Sequence, residues 1–118
     1  MPRFSIYSGS LLVGWSELEA GDPPMGVASG KFLPAAGYAT IQASVVSAAG
    51  VVKPELRLSV RRGQEEIQSR AGVFIIDFSP ELGPEDMEIS ILGIVQPPYE
   101  SLFPEHVAAY ARGFQKEG

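Results

Sequence analysis

The sequence predicts an α+β fold: an antiparallel, strongly bent or barrel-like sheet of five to seven strands with a C-terminal helix packed on it. Three observations carry this. Apolar and polar residues alternate at period 2 over several short runs, the signature of half-buried strands. The 13 Gly and 10 Pro in 118 residues are scattered without a period, as turns between many short elements require. A single apolar stripe at helical spacing appears only near the C-terminus.

The first run is a hairpin. Phe4 and Ile6 alternate with Arg3, Ser5 and Tyr7. Ser8-Gly9-Ser10 supplies a turn with a residue able to adopt positive φ. Leu11, Val13 and Trp15 return at period 2 and are expected on one face, with Gly14 and Ser16 on the other. The pattern stops after Leu18. Residues 19–26 contain Asp22-Pro23-Pro24-Met25, where two prolines remove two N–H donors, and read as a loop. Residues 34–50 fit either a helix, with Tyr38, Ile41, Val45 and Ala48 or Ala49 on one face, or a strand through Ile41, Ala43 and Val45. The length and alanine content favour the helix.

The middle of the chain reads as strands. Leu56, Leu58 and Val60 alternate with Arg57, Ser59 and Arg61. Arg62-Gly63 turns the chain, and residues 64–70 carry it back. Val73-Phe74-Ile75-Ile76-Asp77-Phe78 reads as a more buried strand, Pro80 to Asp86 as a loop, and Met87 to about Val95 as a last strand of an antiparallel meander. Pro104 suits the first turn of a terminal helix. Its stripe is Phe103, Val107, Tyr110 and Phe114, expected to dock on the sheet, and Gly113 can end it.

Composition narrows function by exclusion. Hydrophobic residues make up 45% of the chain, and mean hydropathy is +0.09. That suits a single globular domain over residues 1–118 and not a disordered chain. The net charge of −5 argues against a nucleic-acid partner, which calls for a basic surface. With no Cys, disulfides and thiolate metal sites are excluded, and with one His no two-His ligand set exists in one chain. Nothing resembles a cofactor motif, so no cofactor and no metal are expected. No apolar run approaches the ~20 residues of a membrane helix or the 7–15 of a signal peptide. A cytoplasmic chain with no membrane partner follows as the expectation.

Candidate chemistry is sparse. His106 is the one side chain with an ordinary pKa near neutrality. It lies off the helical stripe, and a half-exposed helical His accounts for it better than a catalytic base. Gly26-Val27-Ala28-Ser29-Gly30-Lys31 is one residue short of a phosphate loop and is followed by Phe32, not by Ser or Thr. Glu17, Glu19 and Asp22 cluster within six residues. Paired carboxylates can do acid–base work, but a solvated strand edge explains them as well. Lys53, Arg57, Arg61, Arg62 and Arg70 form a local basic surface interleaved with Glu55, Glu65 and Glu66, which cross-strand ion pairing would neutralise.

The two Pro-Pro loops are more informative. Each sets an apolar side chain directly after a proline pair, Met25 in one and Tyr99 in the other. Rigid loops lose little entropy on binding, and Met and Tyr are enriched at interfaces. Charge is also uneven: net −1 over 1–52, +2 over 53–72 and −6 over 73–118. The reading that fits best is a protein–protein interaction module, of adaptor or inhibitor type, whose acidic surface steers a basic partner. Its candidate contact residues are Trp15, Asp22, Met25, Tyr99, Glu85, Asp86 and Glu88. The alternative is a β-rich module binding a small apolar ligand inside the bent sheet, with Trp15, Met25 and Tyr99 at its mouth. The third is an enzyme using His106 or the Glu17/Glu19/Asp22 carboxylates. A homodimer through the sheet edge or the helical stripe is a further expectation.

Overall fold

A computed structural model of the chain describes residues 3–117, with side chains as far as residue 113. In chain order the strands are β1 (Phe4–Ser8), β2 (Leu11–Ser16), β3 (Ala20–Asp22), β4 (Val27–Lys31), β5 (Leu33–Pro34), β6 (Leu58–Arg62), β7 (Glu65–Asp77) and β8 (Met87–Gln96). The helices are α1 (Gln42–Ala48), α2 (Ser79–Leu82), α3 (Tyr99–Leu102) and α4 (Pro104–Glu117), with 3-10 turns at Pro23–Met25, Ala36–Thr40 and Pro54–Leu56.

All eight strands belong to one antiparallel sheet, in the order β3-β4-β8-β7-β6-β1-β2-β5. The sheet curls into a half-barrel, and one stretch of chain ties its margins together. Residues 28–31 pair with β8, and residues 33–34 pair with β2. Phe32 between them donates its N–H to the Met87 carbonyl.

Direct cross-strand pairs explain the curl and the core together. Ile6 faces Val60, and Val60 faces Ile67. Ile75 faces Ile89, while Ile91 lies between Val73 and Ala28. Each pair sets two apolar side chains on the concave face, where burying one Ile or Val contributes roughly 1.5–3 kcal/mol. Phe4, Val13, Leu18 and Phe32 complete an interior filled by side chains. Tyr38, Ile41 and Val45 also join this core, from the 3-10 turn and α1, and α1 lies against β7.

Several expectations change here. The strand count is eight, above the five to seven expected. Leu11, Val13 and Trp15 do not share a face. Ile6 pairs with Gly14 but Tyr7 pairs with Leu12, so Val13 is an extra, bulged residue. The bulge flips the rest of β2. Gly14 and Ser16 turn inward opposite Ile6 and Phe4, and Trp15 turns outward opposite Ser5. A Cβ at Gly14 would come 2.5 Å from both the Leu33 carbonyl and the Phe32 ring, so only glycine lets β2 and β5 approach.

The 19–26 loop contains the edge strand β3, and the glycine-rich stretch after it is strand β4 rather than a turn. The ambiguous 34–50 segment is helical only over Gln42–Ala48, and its first part is β5 followed by a 3-10 turn. Leu56 closes a 3-10 turn, so the next strand begins at Leu58. The two strands expected over 64–78 are one, β7. It pairs with β6 as far as Ile67 and with β8 from Gln68. Its bulge near residues 69–72 lets one strand serve both halves of the curl.

The C-terminal helix follows Leu102 and Phe103, which are buried in the core. α4 then runs beside β3 and the 3-10 turn after it. Val107 is half-buried and Tyr110 is exposed, so the stripe docks through its first turns. Phe114 lies outside the described side chains. Among the described residues no helix is long and apolar enough to cross a membrane.

Candidate functional site

The β7–β8 connection and the start of β8 gather Glu85, Asp86 and Glu88, three of the four acidic residues expected to meet a partner, while Asp22 ends β3. Asp77 ends β7, α2 follows, and Gly83-Pro84-Glu85-Asp86 leads into Met87 at the start of β8. Backbone bonds define this tip: Phe78 N–H donates to the Asp86 carbonyl at 2.9 Å, and Leu82 N–H donates to the Phe78 carbonyl at 2.8 Å. Phe78 is 50% exposed and Leu82 67%. Glu81, Glu85, Asp86 and Glu88 belong to the same tip and are also exposed. The cation that approaches this cluster is Lys31, whose Nζ lies 3.9 Å from Glu85 Oε1 with both groups largely in solvent. Such an exposed pair contributes little.

A buried network holds the tip in place. Asp77 Oδ1 accepts the Ser79 N–H at 2.7 Å, which fixes the first turn of α2. Asp77 Oδ2 accepts the Tyr38 hydroxyl at 2.6 Å and Gln42 Nε2 at 3.1 Å. Burial pushes the Asp77 carboxyl upward, but the hydrogen bonds from Ser79, Tyr38 and Gln42 outweigh it and hold the group below the usual carboxylate range. Burial first, and then the bonded Asp77 charge, push the Tyr38 hydroxyl well above its ordinary value. Asp77 thus stays ionised and carries the orientation of α1 through to the tip.

The other expected contact residues divide into two places. Met25 and Tyr99 come together with Pro23, Pro24, Arg70, Gly93 and Ile94 around a cleft of about 270 Å³. Met25 is exposed, whereas Tyr99 is half-buried and donates its hydroxyl to the Val27 carbonyl at 2.8 Å. Burial, with the Asp22 charge nearby, pushes that hydroxyl up to about 12. Tyr99 is therefore largely a packing residue, with its ring 5.1 Å from that of Phe103. Trp15 is on the outer face of β2 beneath Arg3 and does not line this cleft.

His106 is held in place by its surroundings. Its ring stacks on Phe103 at 4.9 Å and 9°, and Nε2 lies 2.8 Å from the Leu18 carbonyl. A carbonyl oxygen only accepts, so Nε2 carries the proton. A Cβ at Gly21 would run into the Tyr99 hydroxyl and the His106 ring, which shows how closely β3 approaches α4. The three carboxylates considered for acid–base work point to separate tasks. Glu19 Oε2 accepts the Lys31 N–H at 2.8 Å, Asp22 sits by Tyr99, and Glu17 borders a cleft with Arg62 and His106. Among the described residues no group of three His, Asp or Glu side chains converges as a metal site.

The basic surface is not neutralised as expected. Of Lys53, Arg57, Arg61, Arg62 and Arg70, Arg62 has a carboxylate partner, Glu65 at 3.1 Å, and the described residues show no ion pair for the other four. Phe78 and Leu82 were not singled out by the sequence reading. Their signal was two large apolar residues bracketing Ser79-Pro80-Glu81 in a carboxylate-rich turn. Comparison of the chain with protein-family models, characterised proteins and solved structures finds no match.

Proposed function

We propose that the chain is a cytoplasmic protein-docking module whose acidic β7–β8 tip receives a basic partner. The observation that carries this is the pairing of two exposed apolar anchors, Phe78 and Leu82, with four carboxylates around them. Apolar or aromatic anchors supply most of the energy of an interface, and surrounding charges set encounter rate and partner choice. The net −6 over residues 73–118 adds long-range attraction for a cation-rich surface. The rigid Asp77 network lowers the ordering cost of binding, because the tip is already shaped.

The test is the affinity of the partner recovered with the wild-type chain. Glu85→Lys with Asp86→Lys, and Glu88→Gln because Glu88 faces Lys31 across β8 and β4, is expected to weaken binding about tenfold or more at low salt. The difference should shrink between about 50 mM and about 300 mM salt as screening takes over. An affinity that is unchanged at every salt concentration removes this reading.

A further inference from the structure

The outer face of β6, β1 and β2 carries a second, oppositely charged constellation. Ser5 pairs with Arg61 on one side and with Trp15 on the other. Directly opposed side chains share a face, so Arg61, Ser5 and Trp15 form one row. Glu66 and Leu33 extend it at either end. Arg3 and Tyr7 flank Ser5 at period 2 and belong to the same face. The opposite face holds the buried Phe4 and Ile6, so this row faces outward.

The two cations here are not spent on carboxylates. The Arg61 guanidinium carbon lies 4.3 Å from the centre of the Tyr7 ring, and that of Arg3 lies 5.6 Å from the Trp15 ring. Neither has an ion pair among the described residues, although Asp and Glu outnumber Lys and Arg 14 to 9. Arg61 Nε is buried without an acceptor among the described residues, so the Tyr7 ring and not a carboxylate holds this guanidinium. A guanidinium laid over a ring keeps its edge donors for a planar, bidentate anion, and the ring holds it in place beforehand.

We propose that this face binds an extended, acidic segment of a protein partner, with carboxylates at alternate positions. Side chains on one face of an extended chain recur every ~6.6–6.8 Å. Arg3 and Arg61 are diagonal neighbours across β1 and β6, a relation that spans ~7–8 Å. The two arginines spring from positions about one such repeat apart, so two alternate carboxylates offer one acceptor to each guanidinium, while Trp15 and Tyr7 hold the two cations in place. A nucleic-acid strand matches less well, since its continuous phosphates meet only these two cations on a chain of net charge −5.

The probe is an end-blocked octapeptide of alternating Glu and Thr, titrated against the full chain. The readout is emission from Trp15, the sole Trp, together with backbone amide shifts. The expected result is saturation with a Kd of about 0.1–1 mM and shifts centred on residues 3–7, 15 and 61. Arg3→Gln and Arg61→Gln should each weaken binding about fivefold or more. Arg3 is exposed and precedes β1, so its variant remains informative if Arg61→Gln fails to fold. Leu82→Ser should leave peptide binding intact, which keeps this face separate from the acidic tip. No saturation by about 10 mM peptide overturns the proposal. So does equal binding of a Gln–Thr peptide, an unaltered Arg3→Gln affinity, or tighter binding of a single-stranded oligodeoxythymidine.

Discussion

Asp77→Ala is expected to lower the free energy of unfolding by about 3 kcal/mol at pH 7, the cost of leaving several buried donors without an acceptor. The substitution orphans the Tyr38 hydroxyl, Gln42 Nε2 and the Ser79 N–H together. Tyr38 is 4% exposed and cannot turn to solvent without opening the core. Asp77→Asn should cost less, about 1–2 kcal/mol, because one oxygen remains to accept. The pH dependence separates charge from packing. The folded-state pKa of Asp77 lies below the model-compound value of 3.8. The stabilisation is therefore complete well above that value and is lost as pH falls from about 4 through the folded-state pKa. In Asp77→Asn no such titration exists, so the stability gap between wild type and variant should narrow progressively as pH falls below about 4. Denaturant unfolding of the two proteins from pH 7 to pH 3 measures this. A gap that stays constant over that range would mean that the carboxylate is not the acceptor of this network.

Phe103→Ala is expected to destabilise the fold by about 3–4 kcal/mol and to loosen the C-terminal helix. The ring is 4% exposed and lies 5.5 Å from Phe4, 5.1 Å from Tyr99 and 4.9 Å from His106. Removing it leaves a cavity in the core and takes away the surface on which His106 stacks. Hydrogen exchange over residues 104–113 should then speed up more than exchange in β7 and β8. Phe78→Ala is the contrast. Its ring is half exposed, so its loss should change stability by about 0.5 kcal/mol or less while weakening partner binding. If both Phe variants lose stability alike, Phe78 is a packing residue and the tip loses its anchor.

The α+β class, the bent antiparallel sheet and the terminal helix were legible because alternation and helical spacing are local properties. Of the helical stripe expected over 34–50, Tyr38, Ile41, Val45 and Ala48 are buried and Ala49 is exposed, and only Val45 and Ala48 belong to α1. What escaped depended on partners distant in the chain. Nothing near Val13 signals that it has no counterpart on β1, yet that one extra residue reverses the facing of Trp15 and Ser16. β4 escaped because Gly26 and Gly30 imitate a turn, while its strand geometry comes from pairing with β8 more than fifty residues later. β7 read as two strands because its polar first half and apolar second half meet different neighbours.

The candidate site divides along the same line. Glu85, Asp86 and Glu88 were readable as an acidic cluster, whereas Trp15, expected beside Met25 and Tyr99, does not line the cleft that joins those two. The anchors Phe78 and Leu82 were hidden. Phe78 continues the apolar run of β7, and its exposure follows only once Asp77 has bonded to Ser79 and turned the chain. The stacked Arg3 and Arg61 were hidden too, since each ring that holds them belongs to a neighbouring strand or to the far side of a turn.

The most direct measurement is native mass spectrometry of the full chain, drawn gently from its own host, with wild type and a Phe78→Ser/Leu82→Ser variant in parallel. The wild type should carry a discrete excess over integer multiples of 12.6 kDa, and that excess should be a basic protein absent from the variant. Wild-type masses at those multiples alone, or the same partner retained by the variant, would contradict docking at the acidic tip.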